Sequence, residues 1–210
     1  MRILAIDPGA STGYALADMC GFTADIYRYN YLDVDKSSKF QGDHCINLMS
    51  QITDIIKIEG VTQVCIEDYF FSKRFASGCD VNTAYRTAIH IRCRELGVPY
   101  EILNPSAWKK YVAGTSRPTK QDKKLWGRDA AKKLYIQRAL WTRYGIRVPN
   151  HSLSTKTGKP IFPRLDVVDV LAQIAYYLEH SLGVQSITCS VIIPPDVEFK
   201  KPGNKIFVYK

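Results

Sequence analysis

Four acidic residues stand where folding alone explains a carboxylate poorly. Asp7 follows the apolar run Ile3–Ile6, and Glu67 follows Val64–Ile66, so both end segments that read as buried strands. Asp166 and Asp169 open the apolar stretch DVVDVLAQIAYYLEH three residues apart, which places both carboxylates on one face of a helix's first turn. A charged group at the rim of a core needs a partner, and anions at close range repel and raise one another's pKa. A divalent cation resolves that conflict. Mg²⁺, with Mn²⁺ as a substitute, prefers hard oxygen ligands, and two such ions can hold the attacking and leaving oxygens of a phosphodiester in line. Each acid also has a plainer reading. Asp166 fits a helix N-cap with Asp169 as its capping-box partner, Glu67 a strand end, and Asp7-Pro8-Gly9 a turn.

The elements that must position these acids follow from periodicity. Residues 2–7 read as a buried strand, and 14–17 with 22–32 as two more meandering around Gly21. Residues 61–67 and 98–103 supply a fourth and a fifth. Helical periods cover 37–59, about 80–96, a long basic stretch near 119–144, and 166–181, with a short helical turn at 105–112. Residues 145–164 contain three prolines and read as a loop, and the tail has β-like runs at 187–193 and 205–209. This order predicts a mixed α/β architecture: a five-stranded sheet, three antiparallel strands plus two parallel, flanked by helices. Ligand sites in such sheets gather at the carboxyl ends of central strands, where Asp7 and Glu67 stand.

The charge is unevenly distributed. The chain carries a net +9 over 210 residues, and residues 105–164 alone hold fifteen basic against two acidic side chains. Such a segment attracts polyanions through salt-sensitive phosphate contacts; a solvated basic helix is the plainer alternative. The six cysteines are scattered without a C-x-x-C pair, which argues against a zinc site or a disulfide framework. No apolar run approaches a membrane span, and the apolar run of MRILAIDPG is too short for a signal peptide. These features predict a cytoplasmic protein (in the host's cytoplasm if viral) with no membrane partner and no small-molecule cofactor.

The motifs ILAIDPGASTGYAL, VCIEDYFF and LDVVDVLAQIAYY together resemble the RuvC family of Holliday-junction resolvases, which has the RNase H-like fold. The resemblance spans roughly residues 1–125 and 160–182. It implies that Asp7, Glu67, Asp166 and Asp169 are catalytic and hold two Mg²⁺ ions per site. Lys109, five residues before Gly114, and Lys120, six after it, match two lysines that the family places near the scissile phosphate. Phe70 matches an aromatic on a junction-stacking loop, with Tyr69 and Phe71 as neighbours suited to the same contact. Lys73, Arg74, Lys110, Arg117, Lys123 and Lys124 are expected to supply further DNA contacts. The implied protein is a homodimer that cuts four-way or other branched DNA. Its expected organisation is a nuclease domain over 1–182 with a basic insertion around 121–164, and a C-terminal extension over 183–210. Two departures stand out: about 46 residues separate Lys120 from Asp166, and the extension has no counterpart in the family pattern.

Three competing readings are weighed. One is a nuclease of the same fold acting on RNA or as part of a larger recombination machine. Another is a non-catalytic DNA-binding scaffold that kept the fold. The third is an actin-like kinase, since Asp7–Thr12 also suits a phosphate turn; it would need a second lobe and a second Gly-rich loop, and 210 residues show neither.

Overall fold

The computed structural model describes residues 1–9, 11–32, 34, 37–68, 76–128, 130–148, 152–153, 160–161 and 166–191; for 76–80, 152–153, 160–161 and 166 it describes the backbone alone. The elements in chain order are β1 (Arg2–Asp7), β2 (Thr12–Cys20), β3 (Thr23–Leu32), α1 (Gln41–Glu59), β4 (Gln63–Glu67), α2 (Ala76–Glu95), β5 (Tyr100–Leu103), α3 (Pro105–Ala113), α4 (Lys120–Trp126), α5 (Ala131–Tyr144), β6 (Ser152–Leu153), β7 (Pro160–Ile161), α6 (Asp166–Tyr176) with a π-helical turn Tyr177–Ser181, and β8 (Ser186–Cys189).

The main sheet has the order β5-β4-β1-β2-β3-β8. β1 pairs antiparallel with β2, and β2 with β3, as the meander requires. β4 lies parallel to β1, and β5 parallel to β4. The sheet therefore has six strands rather than the expected five. The sixth, β8, pairs parallel with the edge of β3 and takes in residues that the sequence reading assigned to an extension. The β-like run at 187–193 was visible in the sequence, but its pairing with the edge of β3 is a tertiary event.

Strand alternation divides the core into two faces. Leu4, Ile6, Leu16, Val64 and Ile66 pack against α1 and α2 through Leu48, Ile52, Tyr85 and Ile89. Ile3, Ala5, Ala15, Ala17 and Cys65 face α3, α5 and α6. The alanines leave room for α6, whose residues Val167–Ala175 are all buried. A helix apolar on every side belongs in the interior.

The long basic helix is two helices. α4 ends at Gly127, whose φ of 81° and ψ of 163° are not helical, and whose amide donates to the Lys123 carbonyl. α5 starts afresh after residue 130. A left-handed Gly145 then closes α5, as Gly60 closes α1.

Candidate active site at the strand ends

β1 and β4 are parallel neighbours, paired up to Ile6 and Ile66, so the next residues, Asp7 and Glu67, emerge side by side at the carboxyl edge of the sheet. Asp7 is two residues past Ala5 and Glu67 two past Cys65, and both of those face α6. The turn after β1 is closed by the Thr12 hydroxyl, which donates to the Gly9 carbonyl over 3.0 Å. Asp7 thus precedes a genuine turn and faces the site as well; the two readings of Asp-Pro-Gly are compatible.

α6 brings the third acid. Asp169 is buried, and one turn on, the buried Gln173 donates an amide hydrogen bond to Glu67 Oε2. Lys133 of α5 forms an ion pair with Asp169 Oδ2. Asp169 Oδ1 is buried with no hydrogen-bond partner among the described residues, which is not the behaviour of a capping-box side chain. Asp166 is the first residue of α6, on the turn that carries Asp169, and its side chain lies outside the described residues.

The electrostatics of the cluster are those of crowded anions. Burial pushes the Glu67 carboxyl well above its ordinary pKa, the negative charges of Asp7 and Asp169 push it further, and the ammonium groups of Lys109 and Lys133 partly oppose them. Among the described residues, no three His, Cys, Asp or Glu side chains converge into an ion cage by themselves. The donor chemistry nevertheless fits hard divalent ions: carboxylate oxygens, mutual repulsion, and one buried oxygen without a donor.

A groove runs through this cluster. A cavity of about 140 Å³ is lined by Asp7, Pro8, Glu67, Asp68, Asn82 and Arg86. A second, of about 360 Å³, shares Glu67 and Asp68 with it and adds Pro105, Ser106, Lys109, Ser116 and Arg117. A third, of about 490 Å³, shares Lys109, Ser116 and Arg117 and continues past Asp169 to Pro118, Lys123, Arg128, Lys132, Lys133 and Tyr135. Shared walls link the three, acidic toward Asp7, Glu67 and Asp68 and basic at the opposite end.

The expected site residues separate on this map. Asp7, Glu67, Asp169 and Lys109 come together, and Arg117 and Lys123 line the basic end. Lys120 is exposed at the start of α4, and Lys110 and Lys124 are exposed on α3 and α4; none of the three lines the groove. Tyr69, Phe70, Phe71, Lys73 and Arg74 lie outside the described residues. Sequence reasoning missed Lys133, Gln173, Arg86, Arg128 and Lys132. Gln173 was findable, because it stands four after Asp169 and seven after Asp166 on the same helical face.

A family model described as crossover junction endodeoxyribonuclease RuvC matches residues 3–126, more than half of the chain. The chain belongs to the RuvC family. A RuvC from a Sulfurovum species is 30% identical over 123 residues, which is 58% of this chain and 75% of that protein. The structure of Thermus thermophilus RuvC superposes with a TM-score of 0.59 at 15% identity, over 88% of this chain and 98% of that one. The same T. thermophilus protein in complex with a Holliday junction substrate gives 0.58 at 16% identity, over 86% and 96%. The yeast mitochondrial Holliday junction resolvase gives 0.52 at 12% identity, over 87% and 80%. These structural likenesses establish the fold, which is the RNase H-like one the motifs implied. The RuvC family match takes in Asp7, Glu67, Lys109 and Lys120 and ends before α5 and α6. Lys133, Asp169 and Gln173 join the site through the fold.

Proposed function

We propose that this RuvC-family chain is a structure-selective endonuclease that cuts DNA phosphodiesters at four-way or other branched junctions. The observation that carries the site assignment is that Asp7 and Glu67 emerge side by side from β1 and β4, with Asp169 near enough to raise the Glu67 pKa and a buried Asp169 oxygen that has no hydrogen-bond partner among the described residues. Asp7, Glu67, Asp169 and, from the same helical turn, Asp166 are the residues to hold two Mg²⁺ ions, with Mn²⁺ as a substitute. Such ions, when bound, supply a water-derived nucleophile at neutral pH and stabilise charge at the phosphate.

The chain's own residues do the positioning. Gln173 fixes the Glu67 carboxylate by its amide, and Lys133 fixes Asp169. Lys109, set between the carboxylates and the basic end of the groove, neutralises a phosphate oxygen of the bound strand. Lys133, which pairs with Asp169, is the lysine we assign to charge balance beside Lys109. A four-way junction has two strands to cut, so a homodimer with its two-fold axis on the junction presents one site to each.

The test offers the protein a synthetic four-way junction and a matched linear duplex, each with Mg²⁺. Junction cutting in clear preference to duplex is expected, and equal cutting of both would overturn the branched-DNA reading. Asp7→Asn should bind the junction and leave it whole; retained cutting would remove Asp7 from the site.

A further inference from the structure

The basic end of the groove is walled by an element that the carboxylate chemistry does not need. Residues 115–128 leave α3, run through α4, and return to α5 as an arch. Arg117, Lys123 and Arg128 on this arch face Lys109 and Lys132 across the cavity of about 490 Å³. Among the described residues lining that cavity, Asp169 is the one acid, and Lys133 already pairs with it. Among the described residues, Arg117, Lys123 and Arg128 therefore give this wall a surplus of positive charge, which favours a bound anion.

The arch is fastened without any ligand. The Thr119 hydroxyl and amide donate to Asp122 Oδ2 over 2.8 and 2.9 Å, and the Asp122 amide donates back to that hydroxyl over 3.1 Å. Asp122 Oδ1 accepts from Arg138 of α5 at 2.9 Å, and the same guanidinium lies over the Trp126 ring at 5.2 Å. Asp122 and Trp126 are buried. A cap, an ion pair to a buried carboxylate and a cation–ring contact thus pin α4 to α5. A pinned α4 sets where the Lys123 side chain leaves the backbone, which lowers the freedom lost when it meets a charge at a defined position.

Resting on the nuclease reading above, we propose that residues 115–128 form a fixed phosphate-binding arch. Arg117, Lys123 and Arg128 hold the backbone phosphate of one nucleotide flanking the cut. Position explains why one flanking phosphate is favoured over diffuse attraction: the cavity shares Lys109 and Asp169 with the carboxylate cluster, so it lies within reach of a strand already seated there.

The experiment replaces single phosphates around the cut by neutral methylphosphonates in a four-way junction. Binding is measured in Ca²⁺, and cutting in Mg²⁺. In the wild type, one flanking position should weaken binding about tenfold. In the variant Arg117→Ala/Lys123→Ala/Arg128→Ala, the unmodified junction should already be weakened by that amount, and the same methylphosphonate should add nothing. Arg138→Met keeps every cavity cation and unpins the arch, so it should lose part of the same positional dependence. The inference is overturned if the triple variant keeps the wild-type profile at every position, or if Arg138→Met leaves the profile untouched. A wild type that neither binds nor cuts the junction refutes the nuclease reading itself, which is a separate result.

Discussion

At the scale of single residues, the site is a set of carboxylates held in check by one amide and two cations. Lys133 is the informative member. Its ammonium faces Asp169 Oδ2, and both side chains are largely buried, so removing it leaves an anion uncompensated beside Glu67. Lys133→Met should therefore destabilise the metal-free protein by about 2 kcal/mol. Added Mg²⁺ should recover more stability in this variant than in the wild type, because the ion replaces the lost cation. Thermal melting with and without Mg²⁺ measures both effects, and an equal Mg²⁺ increment in the two proteins would show that Lys133 carries no charge-balancing role. Asp7 and Glu67 were conspicuous in the sequence, because each ends an apolar run, and Asp169 because it opens one. Lys133 was not. Counting from Gly114 selects Lys120, whereas the contact with Asp169 depends on how α5 crosses α6, which no spacing along the chain reports.

At the scale of elements, α4 depends on its first turn. Burial raises the Asp122 pKa, but the Thr119 amide and hydroxyl and the Arg138 guanidinium outweigh it, and the net shift is downward. A carboxyl depressed in the folded state stabilises the fold above the ordinary carboxylate range and ceases to do so as pH falls through the depressed value. Asp122→Ala should cost about 1–2 kcal/mol at neutral pH through the lost cap and the stranded Arg138. The gap between wild type and variant should narrow as both are acidified below the ordinary aspartate range. Denaturant melts across that range decide it, and a gap constant with pH would assign the loss to packing instead. The sheet and most helices were readable from period and punctuation, because β1, β4 and α6 are strongly apolar. The break at Gly127 was not, because KQDKKLW and AKKLYIQRALWTRY both favour helix and only the backbone angle at the glycine separates them.

At the scale of the whole molecule, the basic segment contains two populations, beside exposed lysines such as Lys110 and Lys124, that composition cannot tell apart. Lys109, Arg117, Lys123, Arg128, Lys132 and Lys133 line the groove. Arg138 and Arg143 turn inward to acids of the fold, Asp122 and Glu179. Arg143 donates to the Tyr111 carbonyl over 2.6 Å, pairs with Glu179 at 2.9 Å and lies over the Tyr111 ring at 4.5 Å, so it ties α3 to the end of α6. The two populations should respond differently to neutralisation. Lys123→Met should reduce the slope of log affinity against log salt for junction DNA by about 1 and leave the melting temperature close to wild type. Arg143→Met should leave that slope unchanged and lower stability by about 1 kcal/mol, since its partners are half-exposed and the pair is partly screened. Titrations at several salt concentrations beside melting curves separate the two effects. A slope that falls equally in both variants would mean that the whole segment acts as a diffuse positive field, and that the groove has no privileged share of it.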